Sequence, residues 1–284
     1  MSKVKASMHG AVSIVNAIAT GKGATLGISL GIEAIVETQP GRGIIFENKE
    51  SNLSSRLIRN VVETSVPKAE LEKNKITIFV KSEIPSGYGL KSSSAISSVI
   101  SLACAKIFRP KASDFDILRD GVHASIKSKV SITGAFDDAC ACYFGGFVVT
   151  DNSNIKIIKS EKAPEDLTAV IFIPKSRRRG NVKKLNILNG VFSQAWDLAS
   201  KSDYWNAMIL NGLATSAILG SEPNILTDLL DSGALGASVS GNGPSIAAVA
   251  KNDKVSSIKR VFSSQEGSII VSAINNKKAE VYEV

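Results

Sequence analysis

The segment that decides the fold reads Pro85-Ser86-Gly87-Tyr88-Gly89-Leu90-Lys91-Ser92-Ser93-Ser94-Ala95. Apolar residues alternate before it, over residues 76–80, and recur at helical spacing after it, over residues 96–107. This order predicts a strand, a glycine-rich loop and a helix. The amino end of a helix carries unpaired N–H groups and partial positive charge, so such a loop can bind phosphate. An ordinary glycine turn followed by serine helix caps is the competing interpretation.

Other nucleotide-binding and metal-binding motifs are absent from the sequence. The chain has no G-x-x-x-x-G-K-[ST] segment, which excludes a Walker A loop, and no G-x-G-x-x-G between a strand and a helix. Cys104, Cys140, Cys142, His9 and His123 are too few and too scattered for a Cys/His zinc site. We therefore expect reduced, buried cysteines.

The composition is that of an ordinary globular protein. The 284 residues are 44% hydrophobic and 21% charged, which excludes disorder and leaves one large or two modest domains. No apolar run reaches the roughly 18 residues needed to cross a bilayer, and the first ten residues lack the apolar core of a signal peptide. We expect a cytoplasmic protein without a membrane partner.

The positive charge favours anionic partners. The formal net charge is +8, and Arg177, Arg178 and Arg179 form a basic run with Lys175, Lys183 and Lys184 nearby. These residues could bind a carboxylate or a phosphate, although a basic run is more often a solvated face. One hypothesis is therefore a non-catalytic nucleic-acid-binding protein. Aromatic residues make up only 6% of the chain, which argues against a platform that stacks single-stranded bases.

The predicted elements indicate an α+β fold, because strands and helices alternate too irregularly for a doubly wound sheet. Residues 159–166 predict a boundary between an N-terminal domain, residues 1–160, and a C-terminal domain, residues 161–284. The predicted helices cover residues 11–19, 53–62 (behind the cap residues Ser51 and Asn52), 96–107, 115–127, 184–200, 203–220, 224–231 and 254–264, and the predicted strands cover residues 28–37, 76–80, two runs within 147–158, 169–173, 235–239, 246–250 and 268–274.

Three segments, in this order along the chain, resemble the motifs of the GHMP kinases, the superfamily of galactokinase, homoserine kinase and mevalonate kinase. Residues 85–95 match Pro-x-x-x-Gly-Leu-x-Ser-Ser-x-Ala, residues 133–139 read TGAFDDA before Gly145 and Gly146, and residues 240–245 read SGNGPS. Within the superfamily, residues 17–24 and the TGAFDD segment are most similar to the archaeal type of shikimate kinase. The resemblance runs from about Ala6 to Ile274.

This resemblance implies both a fold and an activity. The implied fold is a two-domain α+β GHMP-kinase-like fold, with a ribosomal-S5-domain-2-like N-terminal domain and a ferredoxin-like C-terminal domain. The implied reaction is ATP-dependent phosphorylation of the shikimate 3-hydroxyl in chorismate and aromatic amino acid biosynthesis, with Mg²⁺ as the metal. Shikimate and ATP are then the partners, with no nucleic acid, and a homo-oligomer is compatible with the sequence. A GHMP kinase for another alcohol, such as homoserine or mevalonate, is the alternative within the superfamily.

The resemblance also implies roles for individual residues. Asp137 would orient or deprotonate the acceptor hydroxyl, and Asp138 would be a second catalytic carboxylate and, with Ser93, a magnesium ligand. Adjacent acids of an extended chain point in different directions, so we expect only one of them to meet the substrate. Residues 123–127 have no carboxylate where several GHMP kinases carry a glutamate ligand. ATP would bind residues 85–95, and the acceptor would bind Thr133, Gly134, Asp137, Gly241, Asn242 and Gly243.

Lys22 completes the set of candidate catalytic residues. It lies in a glycine-bounded loop after the helix predicted over residues 11–19, where its ammonium could reach a phosphate or a carboxylate. A solvated loop lysine is the simpler interpretation.

Overall fold

The computed structural model of the protein describes residues 1–47, 53–176, 180–221 and 223–284. The strands in these residues form a sheet of seven and a sheet of four. They are β1 (Ser2–Val15), β2 (Lys22–Pro40), β3 (Gly43–Phe46), β4 (Asn74–Ser82), β5 (Phe147–Asp151), β6 (Lys156–Glu161), β7 (Leu167–Pro174), β8 (Gly236–Val239), β9 (Ile246–Lys251), β10 (Gly267–Ala273) and β11 (Glu280–Glu283).

Helices cover both sheets. Two short 3-10 helices, Val182–Leu188 and Asn252–Lys254, accompany the α-helices. The α-helices are α1 (Ser55–Ser65), α2 (Lys68–Lys73), α3 (Ser92–Phe108), α4 (Asp114–Lys127), α5 (Phe136–Phe144), α6 (Asn189–Ser200), α7 (Tyr204–Leu219), α8 (Pro223–Asp231) and α9 (Val255–Phe262).

The first sheet is built around the long strand β2. The order is β11-β1-β2-β4-β3, and β5 with β6 pairs to the beginning of β2, beside residues 22–26. Most pairs are antiparallel, whereas β3 runs parallel to β4. Helices α1, α3 and α5 pack against this sheet, and α4 packs against these three helices. Strand β5, which follows α5 in the chain, pairs with the beginning of β2, and α5 packs against both β1 and β2.

Local sequence explains where the helices around this sheet begin. The Ser54 hydroxyl accepts a hydrogen bond from the Leu57 N–H and caps α1. The Ser113 hydroxyl accepts from the Asp116 N–H, while the Asp116 carboxylate accepts from the Ser113 N–H, a reciprocal capping box at the start of α4. Helix α3 differs, because no side chain caps it and Lys91 precedes it in the left-handed conformation.

The second sheet is antiparallel, with the order β10-β7-β9-β8. Counted along the chain from β7 to β10, the four strands lie side by side in the order four, one, three, two. Helices α6 to α8 follow the first of these strands in the chain, and α9 follows the third. This is the ferredoxin-like arrangement, so the α+β prediction is confirmed. Helix α7 packs against β8 of this sheet and also against β1 of the first.

One large apolar cluster joins the two sheets. It includes Val12 and Ile14 of β1 and Val99 of α3, together with Ile171 and Val249 of the second sheet. All five side chains are fully buried, and burying an aliphatic side chain of this size stabilises a fold by roughly 1.5–3 kcal/mol. The position proposed for the domain boundary, residues 159–166, contains the end of β6 and the link to β7. The division into domains at that point stays a prediction.

The helix predicted over residues 11–19 is wrong, because residues 2–15 form β1 and a turn follows at residues 17–20. Ala11, Val12, Ser13, Ile14 and Val15 are all buried. Both faces of the strand are covered, so its apolar run has no alternation, and such a run cannot be told from a helix by its pattern. The prediction that Lys22 lies in a loop is also wrong, since Lys22 is the first residue of β2.

Most of the remaining predicted elements are confirmed to within a few residues at their ends, but β2 begins at Lys22 rather than Ile28, and the helix predicted over 184–200 begins as the 3-10 helix Val182–Leu188. The residues proposed as caps of α1, Ser51 and Asn52, lie outside the described residues. Strands β3 and β11 and helix α2, which are short, were not predicted from the sequence. The sequence also predicted no helix at the Asp137-Asp138 pair, which lies in the first turn of α5.

Candidate active site

The three sequence motifs meet at one cleft. Its walls come from the end of β1 and the turn after it, the loop before α3 and that helix's first turn, the α4–α5 connection, the start of α5, and the β8–β9 loop. The cavity volume is about 210 Å³. Asp137, Asp138 and Lys91 lie in its wall. Residues more than 200 positions apart in the chain therefore share one site.

The loop before α3 presents an open helix terminus to this cleft. Gly87 and Gly89 have φ values of 85° and 82°, which favour glycine, and Lys91 adopts φ 67°. The first intrahelical bond is donated by the Ala95 N–H to the Lys91 carbonyl, so the N–H groups of residues 92–94 have no partner within the helix. The side chains of these three serines line the same cavity. This terminus has the donors and the dipole that attract phosphate.

The β8–β9 loop is hydrogen-bonded directly to the loop before α3, the phosphate loop. The Ser240 hydroxyl donates to the Gly89 carbonyl at 2.9 Å, and the Ser245 hydroxyl donates to the Tyr88 carbonyl at 2.6 Å. A Cβ at Gly89 would overlap the Ser240 carbonyl oxygen, so the two backbones approach as closely as glycine allows. The Asn16 side-chain amide donates to the Gly241 carbonyl at 2.7 Å. The end of β1 and both loops therefore form one hydrogen-bonded unit.

Asp137 is held rigidly at the base of the cleft. It is 3% exposed, and its Oδ1 accepts from Asn152 Nδ2 at 2.7 Å, while its Oδ2 accepts from Thr25 Oγ1 at 3.1 Å. Its backbone N–H donates to Asn152 Oδ1 at 3.1 Å. A Cβ at Gly23 would overlap the carboxylate, so this glycine makes room for Asp137. These contacts fix the orientation of the carboxylate before any ligand arrives.

Asp138 has a different environment. Its Oδ1 lies 3.0 Å from the Lys91 ammonium, and its side chain is 17% exposed. Burial raises the pKa of Asp138 to about 7, and the neighbouring charge of Asp137 contributes to the rise, whereas Lys91 and Thr25 lower it. The expectation that only one of the two acids reaches the substrate assumed an extended chain. The pair is helical instead, and both carboxylates line the cavity.

The structure brings together most of the residues proposed to bind ligands. Of the acceptor-binding set, Thr133, Gly241, Asn242 and Gly243 line the cavity with Asp137. Gly134 has φ 78° and packs against Val122 and Ile126. Of the ATP-binding set, the following residues line the cavity: Gly87, Gly89, Lys91, Ser92, Ser93 and Ser94.

Other predicted residues lie away from the cavity wall. Leu90 and Ala95 are buried, at 1% and 0% exposure, and pack in the apolar core. The Lys22 ammonium lies 4.5 Å from the centroid of the Trp196 ring, a cation–π geometry, and Lys22 is not among the described residues that line the cavity. Its catalytic role stays a prediction. Lys175, Lys183 and Lys184 are exposed, and Arg177, Arg178 and Arg179 lie outside the described residues.

Sequence reasoning missed several polar residues of the site. Ser13, Asn16, Thr25 and Asn152 are buried and hydrogen-bonded to the loops or to the carboxylates. Each sits in or beside an apolar strand, and a polar residue at a core-facing position is the signal that could have revealed it. Lys129 also lines the cavity, on the exposed α4–α5 connection.

Comparisons with known proteins agree with this geometry. Residues 53–146 match the family model described as "GHMP kinases N terminal domain". The curated shikimate kinase of Methanosarcina mazei is 39% identical over 96% of this chain and 95% of its own length. Those of Pyrococcus furiosus and Methanobrevibacter smithii are 35% and 34% identical, over 93% and 94% of this chain and 96% and 95% of their own lengths. The chain belongs to the archaeal-type shikimate kinase family of the GHMP kinases.

Solved structures agree with the family's fold. A homoserine kinase from Cytophaga hutchinsonii superposes with a TM-score of 0.76 at 19% identity, over 99% of this chain and 98% of that one. The mevalonate kinase of Methanococcus jannaschii also gives 0.76, at 14% identity, over 96% and 98% of the two chains. At these identities the likeness shows the fold alone. Family membership makes the chain an ATP-dependent small-molecule kinase. In the described residues, no helix has the length and apolar character needed to span a membrane.

Proposed function

We propose that this kinase transfers the γ-phosphoryl group of ATP to the 3-hydroxyl of shikimate, giving 3-phosphoshikimate and ADP in chorismate and aromatic amino acid biosynthesis. The names of the curated relatives support the substrate. The observation that carries the reaction type is the cleft itself, in which an uncapped helix terminus and two carboxylates share one cavity. Phosphoryl transfer needs this combination of phosphate binding and a correctly placed acceptor.

The phosphates of ATP bind at the amino end of α3 in this proposal. Residues 85–95 supply the loop, and the N–H groups and hydroxyls of residues 92–94 donate to phosphate oxygens. Ser240 and Ser245 of the β8–β9 loop donate hydrogen bonds to the Gly89 and Tyr88 carbonyls and so hold the phosphate-binding loop in its conformation. No lysine of a Walker A motif is needed for this. Binding at a fixed backbone cradle costs little reorganisation, which favours transfer as well as affinity.

The oxygen donors in the cleft fit Mg²⁺. Among the described residues, no cluster of three His, Cys, Asp or Glu side chains is arranged to hold a metal on its own. Magnesium requires no such cluster, because it keeps several waters and binds through one or two carboxylates and the substrate phosphates. We assign Ser93 and Asp138 as its protein ligands. When bound, the ion neutralises phosphate charge.

The acceptor lies beside α5 in this proposal. Thr133, Gly134, Gly241, Asn242 and Gly243 surround it, and Asp137 orients its hydroxyl and accepts the proton. Two hydrogen bonds to Asp137, from Asn152 and Thr25, support this role because they hold the carboxylate in one orientation. Lys22 remains a proposed catalytic residue. To reach the substrates, its ammonium would have to move away from the Trp196 ring. The cleft then lies where the N-terminal and C-terminal halves of the chain meet.

A coupled assay of ADP release tests the substrate. Purified protein is given ATP and Mg²⁺ with shikimate, homoserine or mevalonate, and turnover is expected with shikimate. Turnover with one of the other alcohols instead would replace shikimate with that substrate. The fold likeness to homoserine and mevalonate kinases makes those two compounds the informative competitors.

Asp137→Asn tests the assignment of the carboxylate. We expect kcat to fall by about 100- to 10,000-fold, the range for removal of a general base, with nearly unchanged ATP affinity. Asp197→Asn, an exposed acid of α6, is the matched control and should keep normal turnover. Normal turnover of Asp137→Asn would remove Asp137 from the mechanism. Salt-sensitive nucleic-acid binding that survives this substitution, without kinase turnover, would instead favour the non-catalytic alternative.

A further inference from the structure

Lys91 occupies a position in the phosphate loop that its backbone makes unfavourable. Its φ of 67° lies in the left-handed region, where a residue with a Cβ is strained and glycine is not. It directly precedes Ser92, the first residue of α3. Strain of this kind persists where the surroundings hold the residue in place, and it concentrates at functional sites.

The Lys91 ammonium is buried in the cleft with two protein partners. Its side chain is 4% exposed, and Nζ lies 3.0 Å from Asp138 Oδ1 and donates to Ser13 Oγ at 2.6 Å. An ammonium has three N–H donors, so one donor is left for a ligand oxygen. Burying an ammonium whose third N–H has no partner costs free energy in the protein without ligand. This cost favours the binding of an anion that can enter the cleft.

The ammonium also touches the other elements that close the cleft. A Cβ at Gly241 would lie 3.1 Å from Nζ, so the β8–β9 loop packs against Lys91. The Gly241 N–H donates to the same Ser13 Oγ, at 2.9 Å. Nζ therefore lies where β1, the phosphate loop, the β8–β9 loop and the carboxylate pair converge. The other lysine in the described wall, Lys129, is exposed on the rim.

We propose that Lys91 is a catalytic residue whose ammonium, oriented by Asp138 and Ser13, donates its remaining N–H to an oxygen of the transferring phosphoryl group. The proposal rests on the phosphoryl-transfer function assigned above. The acceptor oxygen forms the new P–O bond, the bond to the β-phosphate oxygen breaks with its electrons staying on ADP, and the hydroxyl proton passes to Asp137. Lys91 keeps its proton throughout and neutralises charge on the moving group.

Three variants of Lys91 test this role. Lys91→Met removes the charge but keeps the length of the side chain, and we expect kcat to fall by about 100- to 1,000-fold with a much smaller change in the KM for ATP. Lys91→Arg keeps the charge and should retain more activity than the methionine variant. Lys91→Ala leaves a space in which added ethylamine should restore part of kcat as its concentration rises. Lys106→Met, on α3 and away from the cleft, should behave as wild type.

The outcomes separate catalysis from a structural role. Rescue by ethylamine in Lys91→Ala, without rescue in Lys91→Met, supports the proposal, because a small cation cannot restore a general loss of fold. Near-normal kcat in Lys91→Met overturns it. Loss of activity that ethylamine leaves unchanged, with a matching fall in unfolding temperature, also overturns it.

Basal hydrolysis of ATP by the wild type and by Lys91→Met separates this proposal from the choice of substrate. Water replaces the alcohol in that reaction, so an effect of Lys91 on the phosphoryl group should lower hydrolysis as well. If shikimate gives no turnover but Lys91→Met lowers ATP hydrolysis by a similar factor, the substrate is wrong and the role of Lys91 stands. If shikimate is turned over but hydrolysis and kcat are both unaffected by Lys91→Met, the role of Lys91 is wrong and the substrate stands.

Discussion

The three cysteines are buried, Cys104 on α3 and Cys140 and Cys142 on α5, the helix that carries Asp137 and Asp138. Burial raises the pKa of the Cys104 thiol to about 12 and raises the pKa values of Cys140 and Cys142 as well. Because the thiolate is the reactive form, we expect none of them to react with an aromatic disulfide reagent at pH 8 in the folded protein, and all three to react in denaturant. A native thiol that reacts faster than the protein unfolds would contradict this burial.

His9 provides a prediction for the dependence of stability on pH. Burial is the main cause that lowers the pKa of His9, followed by the charge of Lys277, and its Nδ1 has no hydrogen-bond partner. Below about pH 6.5 the unfolded chain therefore binds more protons at this residue than the folded one, so the free energy of unfolding falls as the pH falls. Urea titrations at pH 7.5 and pH 5 should show a smaller fall for His9→Gln than for wild type. His123→Gln, which changes an exposed histidine, should show the wild-type fall.

The sequence motifs located the candidate active-site residues but not their hydrogen-bond partners. Asp137 and Asp138 stand out in the TGAFDD segment, whereas Thr25, which donates to both, is 112 positions from Asp137. Lys91 was visible as one member of the loop, but its contact with Ser13 crosses 78 positions. Which side chain meets a carboxylate depends on how strands and helices pack, and local sequence carries little of that information.

Among the secondary-structure elements, the contact between the phosphate loop and the β8–β9 loop leads to a test. In Gly89→Ala the positive φ alone should cost about 1–3 kcal/mol, and the new Cβ must displace the Ser240 carbonyl. We expect a lower unfolding temperature, a higher KM for ATP and a lower kcat. Gly190→Ala in α6 is the control, because a Cβ there meets no atom within 4 Å. Equal behaviour of the two variants would mean that the loops do not depend on their close approach.

The predicted element that failed lies where both faces of a strand are covered. The helix predicted over residues 115–127 is confirmed as α4, which buries Leu118 and Val122 on one face and begins at a capping box. Strand β1 was missed because α3 lies on one side and α7 on the other, so no exposed residue interrupts the run over residues 11–15. Tertiary packing, and not local propensity, decided that segment.

At the scale of the whole molecule, Asn211 connects the two sheets. This residue of α7 is 0% exposed, its Oδ1 accepts from the Asn16 N–H at 2.8 Å, and its Nδ2 donates to Ser238 Oγ at 2.8 Å. Asn211→Ala leaves the buried Asn16 N–H unpaired, which should lower the free energy of unfolding by about 1–3 kcal/mol. Because Asn16 also holds Gly241, we expect a higher KM for the acceptor.

Denaturant unfolding and shikimate kinetics of this variant check both effects. Asn206→Ala, an exposed residue of the same helix, is the control and should stay within about 0.5 kcal/mol of wild type. A stability loss without a kinetic change would show that the link to the β8–β9 loop does not shape the acceptor site.

Topology was the least predictable feature at this scale. The succession of elements after residue 166 is compatible with several strand orders, and only the structure shows the order β10-β7-β9-β8. The resemblance to the GHMP kinases supplied this order as an expectation, which periodicity alone did not. The α+β class followed from the irregular alternation of strands and helices. The alternation stays irregular even when residues 11–19 are wrongly predicted as a helix instead of the end of β1.

Strand β11 pairs with residues Val4–Ser7 of β1, so the first sheet gains this strand only after the residues of the second sheet have been translated. While the ribosome is still synthesising the second half, the β1 backbone has an open edge that neighbouring nascent chains could join. Lys3 and Lys5 of this strand pair with Glu37 and Glu33 of β2, and charged side chains along a strand edge discourage such pairing. Docking of β11 onto β1 therefore follows synthesis of the second sheet, and the β1 edge is exposed to other chains until then.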